Sequence, residues 1–201
     1  MTDVERTEQR QQRQARIEHM RRLEQQLRDE HTVDGLIRLL NSRDVDTVRA
    51  ASLVLGDHGD PVAVPALLSV LQTADDHWLK DGAALALRDI GDWRARDALL
   101  QEIRDPANAG YTGTLIYALK PFDVRDAVGD LVRFVCHGEY ESAWMAVTVI
   151  REFPSPLEAE QRQTALLLLA NCLADTTPEE TEDWRLAMLD GLMHYITHHD
   201  G

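Results

Sequence analysis

Few residues in this sequence could carry redox, metal or covalent chemistry. There are two cysteines in 201 residues, Cys136 and Cys172, each in a strongly apolar helical context. That context points to small buried hydrophobes in a reducing compartment rather than to a disulfide or a reactive thiol. No glycine-rich phosphate loop, no nucleophile elbow and no zinc-spaced Cys or His pair is present. Cys136 and His137 are adjacent, and neighbouring residues of a helix face different ways. His194 and His198 share a helix face and could hold a metal, but they have no carboxylate or thiolate company. No catalytic residue, cofactor or metal is therefore expected. Long apolar runs are missing too: the longest, Ala165 to Ala170, is far too short to span a bilayer, and Met1 is followed by about thirty polar residues, so neither a membrane span nor a signal peptide is expected and the cytoplasm is the default location.

Bases are scarce. Lysine and arginine number 21 against 35 acids, for a formal charge of −14. Residues 1–32 hold seven of each sign, so the rest of the chain, with 28 acids and 14 bases, carries the whole excess. Such a surface repels phosphate backbones and anionic membranes and attracts basic proteins. Nucleic acid and membrane are thereby disfavoured as partners. Aromatics are only 5% of the chain while hydrophobic residues reach 44%, a balance that suits helices packed through Leu, Ala and Val.

What the chain does have is a repeat. Residues 64–92, VPALLSVLQTADDHWLKDGAALALRDIGD, are its clearest copy. An apolar face at Leu67, Leu68 and Leu71 breaks at Thr73–Asp76, and a second stripe follows at Leu79, Ala83, Leu87 and Ile90, closed by Gly91-Asp92. In the first helix Leu36, Leu67, Leu99 and Leu131 recur at steps of 31, 32 and 32, and Leu40, Leu71, Ile103 and Val135 keep the same steps. In the second helix Ala51, Ala83, Leu115 and Ala146 align, as do Leu55, Leu87, Leu119 and Ile150. His58, Ile90, Phe122 and Phe153 form a further row. Two short helices cannot bury both their faces alone, so copies must stack.

On VPALLSVL, LKDGAALALRDIGD and the preceding LIRLLNSRDVDTVRAASLVLGDHGDP, the chain resembles HEAT-like repeats of the short, phycobilisome-lyase type, well over residues 33–153 and loosely over 157–197. It departs where that family usually has a basic residue three before the small one: Lys80 is there, but Val48 and Thr112 fill the slot in the first and third units. The resemblance implies an all-α, right-handed α-solenoid of about four to five helix pairs. Residues 1–31 form a charged N-terminal helix, either a cap or a partly frayed arm that could dimerise, and residues 32–197 form the repeat solenoid. Iron-binding hydroxylases of this architecture use paired His-Glu dipeptides, which are missing here, and HEAT-like DNA glycosylases need a basic groove.

The helices are expected at Val33–Asn41 behind a Thr32 cap, Val45–Asp57, two within residues 64–92 on either side of the Thr73–Asp76 break, Arg94–Arg104, Gly110–Lys120, two within Val124–Phe153 around Gly138, Ala165–Leu173, and Glu179–Ile196 behind a start at Thr177–Glu180. Gly110 and Gly113 make the sixth of these the softest spot, at roughly 1 kcal/mol each relative to Ala. From Ile17, the stripe Met20, Leu23 and Leu27 should dock the second half of the N-terminal helix.

The resemblance also implies that the second helices line a concave side. Residues opposite each buried stripe then face a groove: Asp46, Arg49, Leu53 and Gly56, then Trp78, Asp81, Leu85 and Arg88, then Gly110, Gly113, Tyr117 and Lys120, then Glu141, Trp144, Thr148 and Arg151. Its middle is Leu53, Leu85 and Tyr117, and Arg88, Lys120 and Arg151 form a basic row. Exposed aromatics ringed by charge suit a protein-binding patch. Alternatively Trp78 and Trp144 pack between repeats and the basic row answers helix C-terminal dipoles. The expected function is a non-catalytic scaffold, adaptor or inhibitor/immunity-type protein, monomeric or weakly dimeric, that takes a basic protein in this groove. The alternative is a lyase-like or chaperone-like enzyme that holds a small prosthetic group there.

Overall fold

The computed structural model describes residues 3–175 and 183–198. Among the described residues there are eleven α-helices and no strand, an all-α architecture of short helices packed in pairs. The chain divides into two compact units, Met1–Ile90 and Gly91–Gly201.

The first unit holds α1 (Asp3–Glu30), α2 (Val33–Leu39), α3 (Val45–His58), α4 (Val64–Thr73) and α5 (His77–Ile90). Local chemistry sets most of these boundaries. The Thr32 hydroxyl accepts the Gly35 N–H at 3.3 Å to open α2, and the Asp44 carboxylate accepts the Thr47 N–H at 3.0 Å to open α3. Gly59 ends α3 at φ 67°, a left-handed conformation that a side chain resists. The repeat rows form the core: Leu36, Leu55, Leu67, Leu71 and Leu87 are all fully buried. Burial of each such leucine stabilises by roughly 1.5–3 kcal/mol. Between α3 and α5 the seam is made of small residues, and a β-carbon built on Gly56 would stand 2.8 Å from the Ala86 α-carbon. Along α1, Met20 and Leu27 are buried and Leu23 half-buried, while every side chain from Arg6 to His19 is exposed. The stripe that docks therefore begins at Met20, since Ile17 stays in solvent.

The second unit holds α6 (Arg94–Arg104), α7 (Gly113–Tyr117), α8 (Val128–His137), α9 (Tyr140–Arg151), α10 (Ala159–Ala174) and α11 (Asp183–His198). Leu99, Ile103, Leu115, Leu119, Leu131, Val135, Ala146 and Ile150 are buried as the rows require. Three differences from the expected layout have physical causes. α7 is much shorter than Gly110–Lys120, because the chain first completes a 3-10 turn at Pro106–Asn108. The Asn108 side chain is buried there, donating to the Glu102 carbonyl at 2.8 Å and its carboxylate at 2.9 Å. Gly110 then takes φ 83°, outside any right-handed helix, so it is a turn residue and not a weak point within one. α10 starts earlier than Ala165, because the Glu158 N–H donates to the Gln161 side chain at 2.9 Å in a capping box. The row of His58, Ile90, Phe122 and Phe153 is uneven: Phe122 is buried, Ile90 and Phe153 half-buried, and His58, the last residue of α3, is exposed. The helix start read at Thr177–Glu180 lies outside the described residues.

An aspartate opens one stretch per repeat. Asp60, Asp92 and Asp123 each accept the N–H two residues on, of Val62, Arg94 and Arg125, at 3.0, 2.9 and 3.2 Å. Arg94 and Arg125 fold back onto the same carboxylates, and the Arg94 fork holds the Asp92 carboxyl well below the usual range, at about 2.

Candidate interaction surface

Consecutive second helices meet along a diagonal: a residue near the middle of one helix packs on a residue near the start of the next. In the first unit His19 Nε2 lies 3.5 Å from an Asp46 oxygen, with Arg16 at 3.9 Å from the other. One step on, the Arg49 guanidinium covers the Trp78 ring, 3.6 Å from its centroid, and donates to the Trp78 carbonyl at 2.9 Å. Arg16 lies 4.9 Å from the same ring. Burial holds Arg49 below the ordinary arginine value, and the Asp81 and Glu24 carboxylates oppose that shift. In the second unit the same step sets Glu141 against Gly113, where a β-carbon would meet its side chain at 2.7 Å. The buried hydroxyls of Thr112 and Ser142 bond at 2.8 Å beside it.

These contacts sort the expected groove residues. In the first unit Arg49, Leu53, Trp78, Asp81, Leu85 and Arg88 are all half-buried. Trp78 is held beneath Arg49, which is the packing alternative, and Gly56 is not on a groove but in the helix seam. Arg88 turns to Asp89 at 2.6 Å. In the second unit Lys120 lies 5.1 Å from the Tyr117 ring centroid and 2.8 Å from the Glu152 carboxylate. Arg151 is exposed and lies 5.6 Å from the Tyr195 ring, and its carbonyl accepts the Tyr195 hydroxyl at 3.1 Å. The basic row is thus a set of cations already engaged by near neighbours.

Trp144 is different. It is 50% exposed, and Tyr140, one turn before it, is 53% exposed. Their rings are nearly parallel at 18° with centroids 6.4 Å apart, and Trp184 of α11 meets Tyr140 edge-on at 5.0 Å. Arg185 fixes α11 at this place. Its guanidinium donates to the carbonyls of Val135, Cys136 and Gly138 at 3.1, 3.0 and 2.9 Å, closing the end of α8, and lies 4.4 Å from the Trp184 ring centroid. Tyr140, Trp184 and Arg185 were not among the expected site residues. Trp184 and Arg185 lie more than 30 residues beyond Trp144, and only the packing of α11 on α9 brings them together.

A cavity of about 490 Å³ lies within the second unit, lined by Ile103, Arg104, Thr112, Phe134, His137 and Ser142 among others. Two of its cations, Arg104 and Arg133, both pair with Asp130, at 2.6 and 2.8 Å. Cys136 and Cys172 are both buried thiols, and burial together with the neighbouring Cys172 thiol pushes Cys136 up. Among the described residues no cluster of three or more His, Cys, Asp or Glu side chains could hold a metal, and no helix is long and apolar enough to cross a membrane.

Among known families, a model of HEAT repeats matches residues 4–88. The match begins within α1 and ends within α5. It reaches HEAT repeats as a class, and the phycobilisome-lyase subtype is a narrower reading than the match supports. No curated protein matches the chain.

Proposed function

We propose that this HEAT-like repeat protein is a non-catalytic interaction scaffold, an adaptor or an inhibitor of the immunity type, that binds a basic protein through the faces of its second helices. HEAT repeats are in general protein-interaction scaffolds. The observation that carries the reading is the pair of half-exposed rings on α9, Tyr140 and Trp144, on a chain whose acids outnumber its bases 35 to 21. Large aromatics left in solvent on rigid helices are what interface anchors are made of, and a net acidic surface speeds encounter with a basic partner. The proposal places the protein in the cytoplasm, as a monomer or weak dimer, with Tyr117, Trp144 and Arg151 as contact residues in the second unit. In the first unit the contacts are Leu53, Leu85 and Arg88, with Arg49, Trp78 and Asp81 supporting them. Lys120 holds Tyr117 in place.

The test is affinity capture from native cytosol followed by binding kinetics on the captured protein. Raising salt from low to near-physiological should slow association and change dissociation little, because screening acts over about 8–10 Å and spares desolvated contacts. Trp144→Ala or Tyr117→Ala should speed dissociation, at a cost of about 2 kcal/mol or more if the ring is a hot spot. An acidic partner, or wild-type kinetics in the variant lacking both rings, would refute the proposal.

A further inference from the structure

We infer that Tyr140 and Trp144 form a seat for an arginine side chain of the partner, a conclusion that rests on the basic-partner reading above. The rings stand on successive turns of α9, nearly parallel and half exposed, and Trp184 closes one side by meeting Tyr140 edge-on. The cluster already holds one guanidinium in this way: Arg185 lies over Trp184, its fork consumed by three carbonyls. Among the described residues no cation lies over Tyr140 or Trp144, so the two most exposed faces of the cluster have none of their own. A planar guanidinium stacks on such faces better than a compact ammonium does, which favours arginine over lysine.

Charge favours the same occupant. Tyr140 is the first residue of α9, where the helix end carries roughly half a positive charge that would repel a cation. Two exposed carboxylates stand at the same end, Glu139 just before the helix and Glu141 in its first turn. Glu141 precedes Trp144 by three residues and so shares its face. Two full negative charges still exceed the half charge of the helix end and the single charge of Arg185, which lies on the far ring and is held by three carbonyls, so the seat is net acidic.

The experiment uses the full chain labelled with 5-fluorotryptophan, whose Trp78, Trp93, Trp144 and Trp184 signals are assigned by single substitutions. The probe is the tripeptide acetyl-Gly-Arg-Gly-amide, with its citrulline and lysine counterparts as controls. The arginine peptide should move the Trp144 signal and leave that of Trp93, which is 78% exposed in the turn before α6. It should bind about fivefold or more tightly than the citrulline peptide, which has the same shape without the charge, and more tightly than the lysine peptide. Glu141→Gln and Tyr140→Leu should each weaken it by about two- to fivefold, read at Trp144, in proteins that melt as the wild type does. A Trp144 signal unmoved by arginine, or moved equally by citrulline, overturns the seat. The two proposals fail separately. If oligoarginine binds in a salt-sensitive way while the Trp144 signal stays still, the seat falls and the basic-partner reading stands. If the tripeptide seats but no captured protein binds through α9, the seat stands and that reading falls.

Discussion

Replacing Gly56 by alanine sets two effects of opposite sign against each other. Gly56 lies inside α3, where glycine costs about 1 kcal/mol relative to alanine, so propensity alone makes Gly56→Ala stabilising. The new methyl group, however, would stand 2.8 Å from the Ala86 α-carbon and 3.2 Å from its β-carbon. Backbone cannot rotate out of the way as a side chain can, so α3 and α5 must separate. Overpacking of this kind costs about 1–3 kcal/mol and here also disturbs the leucines on either side of the seam. The clash should win, with a net loss of up to about 2 kcal/mol, or roughly 2–4 °C of Tm per kcal/mol in a chain of this size. Gly82→Ala is the control, because its nearest neighbour is the Arg49 γ-carbon at 3.2 Å, on a side chain that can shift. Urea denaturation by circular dichroism reads both. A Gly56→Ala protein as stable as wild type, with an unchanged m-value, would mean that α3 and α5 do not cross at Gly56 and that the register of the first unit is wrong.

Leu87→Ala should cost about 2–5 kcal/mol in the same assay, since Leu87 is fully buried, and Leu85→Ala well under half as much, since Leu85 is only half-buried. The reverse order would refute the phase assigned to α5. In native-state hydrogen exchange the amides of Val64–Ile90 should rank among the best protected and those of residues 3–14 the least, whose side chains from Arg6 onward are exposed; equal protection would sink that layout. Asp92 should titrate near 2 by NMR, and Arg94→Ala should return it toward about 3.9. Because the folded value lies below the unfolded one, the contribution of this carboxylate to stability is present above about pH 4 and is lost as pH falls through 2. Neither Cys136 nor Cys172 should react with Ellman's reagent until the chain unfolds, since both are buried and Cys136 is pushed away from the thiolate form.

The helical framework is legible because its signal is redundant. Leu36, Leu67, Leu99 and Leu131 carry the same information four times, and each is fully buried. Legibility ends where one residue has to decide. The apolar spacing from Gly110 to Leu119 is that of a helix, yet the Pro106 turn and the buried Asn108 use up the chain before α7 can start. Trp78 and Trp144 look alike in the sequence, and their fates differ through their neighbours. Trp78 receives Arg49 from the preceding helix, whereas Trp144 stands half exposed beside Tyr140. The opening aspartates Asp60, Asp92 and Asp123 recur at the repeat step and are legible in the sequence, two of them directly after the glycines at 59 and 91 that end the preceding helices.

The placement of the arginines bears on what a partner would meet. Arg96 reaches the Asp123 carbonyl at 2.9 Å and pairs with Asp126, and Arg104 reaches Asp130. Arg125 donates to the Pro156 carbonyl at 2.9 Å, Arg28 pairs with Asp57 and Arg49 bonds the Trp78 carbonyl. Each of these contacts ties one helix pair to the next within its own unit. Most are exposed pairs, worth at most about 1 kcal/mol each, so the cores and not these bridges hold the units together. Their larger consequence is for the field outside. The arginines that pair with acids are largely neutralised by them, and the acids in surplus set the field outside. On the proposed reading, a basic partner meets a net acidic surface at long range and, on α9, aromatic faces at contact. The two terms act at different distances, so salt should govern how fast a basic partner arrives and the rings how long it stays.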